Sequence, residues 1–431
     1  MIFLILLLGL ALRLTSLNQS LWLDEAIEIL AVKNNSFFSL ITRYSLGDFH
    51  PPLYHAVLKS WDSIFGFSEV SSRFPSVIFG LLTVFFVYLI GKKLFGQRAG
   101  LIAALFMAAN PLAVYYSQEA RMYALAAFAV TAAFWFFLEQ KWVWYAIFLA
   151  VALYTDYLPW FMLPVFFLMA KDRKLFFLSS FFSLLFVLPW LPFLYQQLHI
   201  GTSVAHSAPL WSQVVGGFDV KALPLTLVKF VFGRISLNNK IIYAVVFGPA
   251  SAFFLWLAIR RAKKELVLWL LLPLLIGFGL SVFLPVYSYF RFLFVLPAFV
   301  LLLAAGAAQS YLSTASILIV SLAALAAFNL NANFQRENWR GAAAYVRQNP
   351  GLAVLPSIAQ SSPLRYYGPA LDIKDKDSLP AASLTKTVYL FRYVREIFDP
   401  QDFARKYLEA NGYRLSGEKA FNGVLVWQYQ K

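Results

Sequence analysis

The chain has no cysteine and only four histidines among 431 residues, and charged residues make up just 13% of it. Without cysteine there are no disulfide frameworks, thiolate zinc sites or cysteine nucleophiles. The charge content is about half the roughly 25% of ordinary soluble domains, which argues against a water-soluble globular fold. Also missing are a P-loop, a dinucleotide fingerprint, a zincin helix and a Gly-x-Ser-x-Gly elbow, along with any internal repeat or low-complexity segment. What the chain has in abundance is apolar surface: 60% hydrophobic and 18% aromatic residues. A spanning helix needs about 20 apolar residues, so the composition is that of a polytopic membrane protein with a soluble piece left over.

The apolar runs predict about eleven transmembrane helices, at 1–17, 75–91, 99–116, 120–138, 142–155, 157–170, 175–195, 241–259, 265–284, 291–309 and 311–330. The two at 142–155 and 157–170 are short enough to be partly re-entrant. The first run has no basic n-region and no clear small-x-small cleavage site after it, so it reads as a retained span rather than a signal peptide. Arg13, near its end, is expected to snorkel to the interface or meet a phosphate.

The net charge of +15 could suggest nucleic acid, but its distribution points elsewhere. Lys92, Lys93, Arg98, Lys141, Lys171, Arg173, Lys174, Arg260, Arg261, Lys263 and Lys264 fill alternate short breaks between spans. By the positive-inside rule those breaks are cytoplasmic. They lack aromatic interleaving, so no nucleic-acid partner is expected. The N-terminus is then cytoplasmic. Loop 18–74, loop 196–240, the turn at 285–290 and the tail 331–431 lie outside. Loop 18–74 holds six acids and four cations, with helix-like spacing at 24–33 and 50–65. Those segments read as helices lying on the outer membrane surface, anchored by Trp22 and Trp61. The tail has fourteen cations and nine acids. A helix opens at Asn338-Trp339-Arg340, strand-like runs follow at 352–358, 387–393 and 423–429, and a further helix lies near 400–410. The tail is therefore expected to be a small α/β domain, following a membrane domain over 1–330.

Polar residues beside apolar spans are costly and ask for a reason. Four clusters fall on the expected outer side. Asp24 and Glu25 open the first surface helix. Acids favour a helix N-terminus, but adjacent carboxylates also suit proton removal from a hydroxyl or a divalent cation. His50-Pro51-Pro52-Leu53-Tyr54 gives a rigid entry to the second surface helix. His50 there either caps the helix or meets a phosphate, a metal or a sugar hydroxyl. Glu119, Arg121 and Tyr123 lie in Tyr115–Tyr123, as an ion pair satisfying itself or as a platform for a charged ligand. Tyr289 and Arg291 occupy another outer turn, where Arg291 either snorkels or holds a lipid phosphate through its planar donor fork. Asp156 lies at a further outer turn. His199 and His206 are expected to be solvated in an outer loop, and Lys221, Lys229 and Arg234 to lie on an interfacial helix.

Leu21–Ala26, His50–Tyr54, Tyr116–Tyr123 and Tyr289–Phe292, in this order over roughly residues 1–310, resemble the GT-C glycosyltransferases. The branch they are most similar to holds the protein O-mannosyltransferases and lipid A aminoarabinose transferases. The resemblance implies a GT-C fold and inverting transfer of a sugar from a polyprenyl-phosphate carrier to a hydroxyl acceptor in the cell envelope, on the extracytoplasmic face of the cell membrane. It implies Asp24 as general base, supported by Glu25. Arg121 and Arg291 would hold the carrier phosphate, Glu119 would orient Arg121 or touch the sugar, and His50 would line the cavity. Tyr54, Tyr123, Asp156 and Tyr289 join that site. The resembled enzymes often carry a histidine where this chain has Asp156. No cofactor is implied outright. The first loop has no Asp-x-Asp pair, and a divalent metal at Asp24, Glu25 and His50 is left open. The competing class, a transporter or lipid flippase, calls for ionisable groups near the membrane midplane and inverted repeats. Here the ionisable groups cluster at span ends.

Overall fold

The structure is a computed structural model that describes residues 1–207, 216–237 and 239–431. Residues 208–215 of loop 196–240, and the side chain of His206, lie outside the described residues. Among the described residues, four helices are at least 18 residues long and apolar enough to cross a bilayer, or five if one bent pair counts as a single span. Shorter apolar helices of 10–17 residues complete the bundle, among them Ile2–Leu14, Tyr123–Leu138 and Trp142–Thr155. Helix Glu69–Phe95 is its long central element. It packs along Gln97–Ala109 and Tyr123–Leu138.

The expected span 99–116 is broken. Gln97–Ala109 and Pro111–Ser117 meet at 58°. Asn110 caps the second piece, its side-chain oxygen accepting from the Leu112 and Ala113 N–H groups at 3.0 Å each, and Pro111 takes the first helical position, where no N–H is needed. The break orphans carbonyls at the end of the first piece. Arg13 satisfies them, donating to Ala108 O at 2.9 Å and Met107 O at 3.4 Å, and also to Ser117 Oγ at 3.1 Å. Arg13 is fully buried, so it neither snorkels nor faces a phosphate: the free carbonyls claim its guanidinium. Gly80 makes room for this contact, since a Cβ there would lie 2.1 Å from Ser117 Oγ.

In loop 18–74 the two expected helices form, as Leu23–Asn34 and Leu53–Phe65. Span 175–195 extends further than its hydropathy suggests, to Gly201. His199 therefore sits exposed on a helix rather than in a loop.

After helix Tyr311–Leu330, helix Trp339–Gln348 begins with Asn338 as its cap. A five-stranded sheet follows: β1 (Leu352–Leu355), β2 (Ile373–Asp375), β3 (Thr387–Phe391), β4 (Arg414–Phe421) and β5 (Val424–Gln430), in the order β2-β1-β3-β5-β4. The β1 pairings are parallel, and β3-β5-β4 is antiparallel. β1, β3 and β5 match the apolar runs of the sequence. β2 has three residues, and β4 is an edge strand with mostly exposed side chains, so neither carries a hydrophobic alternation to read. An Asn422-Gly423 turn closes the β4–β5 hairpin with Gly423 at φ +70°. Trp339 is fully buried against Phe391 and Tyr393. This unit docks on loop 18–74. Arg340 donates to Glu69 Oε1 at 2.6 Å, Tyr367 Oη accepts from the Leu21 N–H at 2.8 Å, and Tyr366 Oη donates to Phe67 O at 2.6 Å.

Candidate active site

The adjacent acids that open helix Leu23–Asn34 face different surroundings, because neighbouring helical residues are rotated by about 100°. Glu25 is fully buried. Arg73, from the start of helix Glu69–Phe95, grips it with two bonds of 2.8 and 2.5 Å. The Ala120 N–H donates to it at 2.9 Å, and Arg336 Nε lies 3.6 Å away. Burial alone would raise the Glu25 carboxyl; Arg73, Arg336 and the Ala120 N–H outweigh that and hold it below the usual range. With its oxygens taken up in this way, Glu25 is an anchor rather than a free ligand, which removes it from the expected metal set. Asp24 is half-buried and makes neither a hydrogen bond nor an ion pair among the described residues. Its charge acts on Arg121.

Glu119 and Arg121 do not pair with each other through their side chains. Arg121 Nη1 lies 3.5 Å from Glu28 Oε2, one turn along from Asp24. Glu119 is fully buried, and among the described residues its one ion pair is with Arg336, at 3.5 Å. Among the described residues, both Glu119 oxygens lack a hydrogen-bond partner. Burial pushes its carboxyl up to about 7, with Arg336 pulling the other way. The Arg336 guanidinium also lies over the Tyr115 ring, 4.3 Å from its centre. Arg234 reaches the same tyrosine, donating to Tyr115 Oη at 2.8 Å. Lys229 is buried, 5.9 Å from the Tyr289 ring centre. Burial and the charge of Arg234 bring its amine down to about 8. Its helix, Ala222–Phe232, which the sequence suggests is interfacial, therefore buries its lysine.

The remaining expected residues divide. Arg291 is half-buried and donates to Pro285 O at 3.3 Å; its charge and that of Arg121 both act on Tyr123. The Tyr123 ring packs on Phe290, the neighbour of Tyr289. Tyr54 is buried behind the site, 3.4 Å from Ser76 Oγ. Asp156 pairs with neither Glu119 nor Arg121 among the described residues: its Oδ1 accepts from the Leu158 N–H at 3.1 Å and caps a turn. His50 lies 3.4 Å from Asp48. The one group of possible metal donors among the described residues is Glu28, Asp48 and His55, rather than Asp24, Glu25 and His50.

Sequence reasoning missed Arg73, Arg336, Glu28, Asp48 and His55. Arg73 stands just before an apolar span, and His55 directly follows His50–Tyr54, so both carried a local signal. Arg336 carried none: it is one of fourteen cations in the tail, and only the folded chain brings it under two carboxylates.

Residues 49–193 match the family described as dolichyl-phosphate-mannose-protein mannosyltransferase. No curated protein sequence matches the chain. Among solved structures, ArnT from Cupriavidus metallidurans, in the apo state and bound to undecaprenyl phosphate, is similar at 14% identity. The alignment covers 99% of this chain and 97% of that one, with a TM-score of 0.59. AglB, the oligosaccharyltransferase of Archaeoglobus fulgidus, solved in complex with an inhibitory peptide and a dolichol-phosphate, is also 14% identical over 99% of this chain and 73% of that one, with a TM-score of 0.56. The chain thus has the helical membrane fold of the GT-C glycosyltransferases, with a family sequence match confined to its first half.

Proposed function

We propose that the chain is an inverting glycosyltransferase. It moves a sugar from a polyprenyl-phosphate carrier to a hydroxyl acceptor in the cell envelope, on the extracytoplasmic side of the membrane. The observation that carries this reading is the contrast between Asp24 and its neighbours. Glu25 and Glu28 are held by cations or hydrogen bonds, whereas Asp24 keeps a half-buried carboxylate without a hydrogen bond beside the charge of Arg121. Such a carboxylate can accept the proton of a bound hydroxyl as its oxygen attacks the anomeric carbon. The bond from that carbon to the phosphate oxygen breaks, and the polyprenyl phosphate leaves with the electron pair. Arg234, Lys229 and Arg291 ring the tyrosines of the same region, and guanidinium groups stabilise the charge growing on a leaving phosphate. An apolar groove of about 640 Å³ between helices Trp142–Thr155 and Arg173–Val187 is lined by Ile147, Leu178 and Phe182 and reaches Leu53 of the outer loop, which suits an isoprenoid tail. That ArnT binds undecaprenyl phosphate and AglB binds dolichol-phosphate supports the carrier class.

The test is transfer by the purified protein in liposomes, from radiolabelled polyprenyl-phosphate sugars to envelope lipids, glycans and serine peptides. Wild type should transfer label. Asp24→Asn should lose on the order of 100-fold or more of the rate while eluting and melting like wild type. Undiminished turnover by Asp24→Asn sinks the base assignment, and no transfer with any donor sinks the reading.

A further inference from the structure

Within the transferase reading, on which it rests, we propose a role for Glu337 of the C-terminal unit. It binds a second hydroxyl of the acceptor, beside the one that Asp24 activates, so the acceptor is a glycan rather than a serine or threonine side chain. The turn of the β4–β5 hairpin fixes the stretch that brings this residue in. Asn422 Nδ2 donates to Gln335 O at 3.0 Å and to Arg336 O at 2.9 Å, and Asn422 O accepts from the Asn338 N–H at 2.8 Å. Arg336 is thereby led to Glu25 and Glu119. Glu337 is pinned by two neutral donors, Trp339 Nε1 at 2.7 Å on Oε2 and Tyr393 Oη at 2.9 Å on Oε1. Gly423 leaves room for its side chain, since a Cβ there would lie 2.8 Å from Glu337 Cγ. Val394, next to Tyr393, holds φ +49°. That conformation is rare for a β-branched residue, and such strain gathers at functional sites.

This carboxylate neighbours the base. Leu23, the residue before Asp24, packs on the apolar core that holds Trp339 and Tyr393. The charge of Asp24 acts on both the Glu337 carboxyl and the Tyr393 hydroxyl. Burial and that charge push the Glu337 carboxyl up, against the Trp339 and Tyr393 donors and Arg234. Each Glu337 oxygen accepts one protein donor and keeps a lone pair. The side chain is half-buried rather than sealed. Neighbouring half-buried carboxylates call for further hydrogen-bond donors. A sugar ring supplies adjacent hydroxyls, one for Asp24 to deprotonate and one for Glu337, whereas a lone serine hydroxyl leaves Glu337 unserved. An acid repels the carrier phosphate, which Lys229 and Arg291 suit, so Glu337 belongs with the acceptor. Arg121, 7% exposed, keeps its Nε without a hydrogen-bond partner among the described residues, a donor for a ring oxygen beside Asp24.

The experiment has two arms, both on the full chain. In detergent and without donor, saturation-transfer NMR reads binding of methyl mannoside, glucoside and galactoside, of their fully O-methylated forms, and of N-acetylserine amide. At least one free glycoside should bind, and its methylated form and the serine probe should not. Glu337→Gln should weaken that binding about 10- to 100-fold, the range for a hydrogen bond to a charged group. Tyr393→Phe, which removes a positioning donor, should weaken it about 3- to 10-fold and decides the matter if Glu337→Gln fails to fold. In the liposome assay Glu337→Gln should raise the acceptor KM by the same factor and leave the donor KM unchanged, a split that a merely structural role would not give. Absence of glycoside binding, binding unchanged in Glu337→Gln and Tyr393→Phe, or a loss that falls on the donor KM overturns the subsite. Because the NMR arm needs no donor, glycoside binding that Glu337→Gln removes upholds the subsite even where transfer fails and the transferase reading falls.

Discussion

Asp24 and Glu25 look interchangeable as sequence, but one helical step separates a free carboxylate from one locked by Arg73, Arg336 and the Ala120 N–H. Their neighbourhood makes Glu119 testable. Burial holds its carboxyl at about 7, above the ~4.3 of an exposed glutamate, so folding takes up a proton between those values. Its contribution to stability is fully present below the lower value and is lost as pH rises through the higher one. The melting temperature of wild type should therefore fall relative to that of Glu119→Gln between pH 5 and pH 8. Parallel melting curves over that range would refute the shift. Arg336→Gln strips a counter-charge from two buried carboxylates, and removing one partner of a buried pair costs about 3–5 kcal/mol. A loss below about 1 kcal/mol in denaturant or thermal melts would show that Arg73 alone suffices.

Among the elements, the broken helix at Asn110 is the one whose meaning changes most between sequence and structure. The sequence shows an apolar run with a proline in it, which membrane helices tolerate. It also shows an arginine near the end of the first span, which snorkelling would explain. In the folded chain each explains the other: the break exposes carbonyls, and Arg13 covers them. Arg13→Met should thus leave buried acceptors unpaired at about 1–3 kcal/mol each and lower the melting temperature sharply. Arg13→Lys should rescue only part of the loss, since one ammonium cannot reproduce a planar fork. Full stability in Arg13→Met, read by thermal melts in detergent, would refute the capping role. The surface helices of the first loop were legible because their apolar spacing is local. Strands β2 and β4 were not, because a three-residue strand and an exposed edge carry no hydrophobic period.

At the scale of the whole molecule, the C-terminal unit is coupled to the membrane part through Arg340, Tyr366 and Tyr367, and through Arg336 beneath the two acids. Removing residues 339–431 should expose apolar and charged surface of the first loop. Faster protease cleavage within residues 18–74 of the truncated chain is the expected readout, and equal cleavage rates would show that the unit is merely tethered. The proposed outward-facing site also rests on topology. A reporter fused after Lys431 should register outside the cytoplasm, and a cytoplasmic signal would overturn the orientation.

The sequence by itself determined the solvent, since 60% hydrophobic residues in long runs have nowhere to go but a bilayer. It also determined the clustering of lysines and arginines in alternate breaks between apolar runs, and the short motifs that place Asp24, Glu119 and Arg121 beside such runs. These are matters of composition and local period, which need no fold to be read. Only the tertiary structure decided which charges meet. Glu119 pairs with Arg336 rather than Arg121, Arg121 with Glu28, and Glu25 with Arg73, while Asp156 forms no ion pair among the described residues and caps a turn. The partners of a buried charge are chosen by the cost of leaving it unpaired. That cost is settled among residues up to hundreds of positions apart, by packing that no local stretch of sequence records.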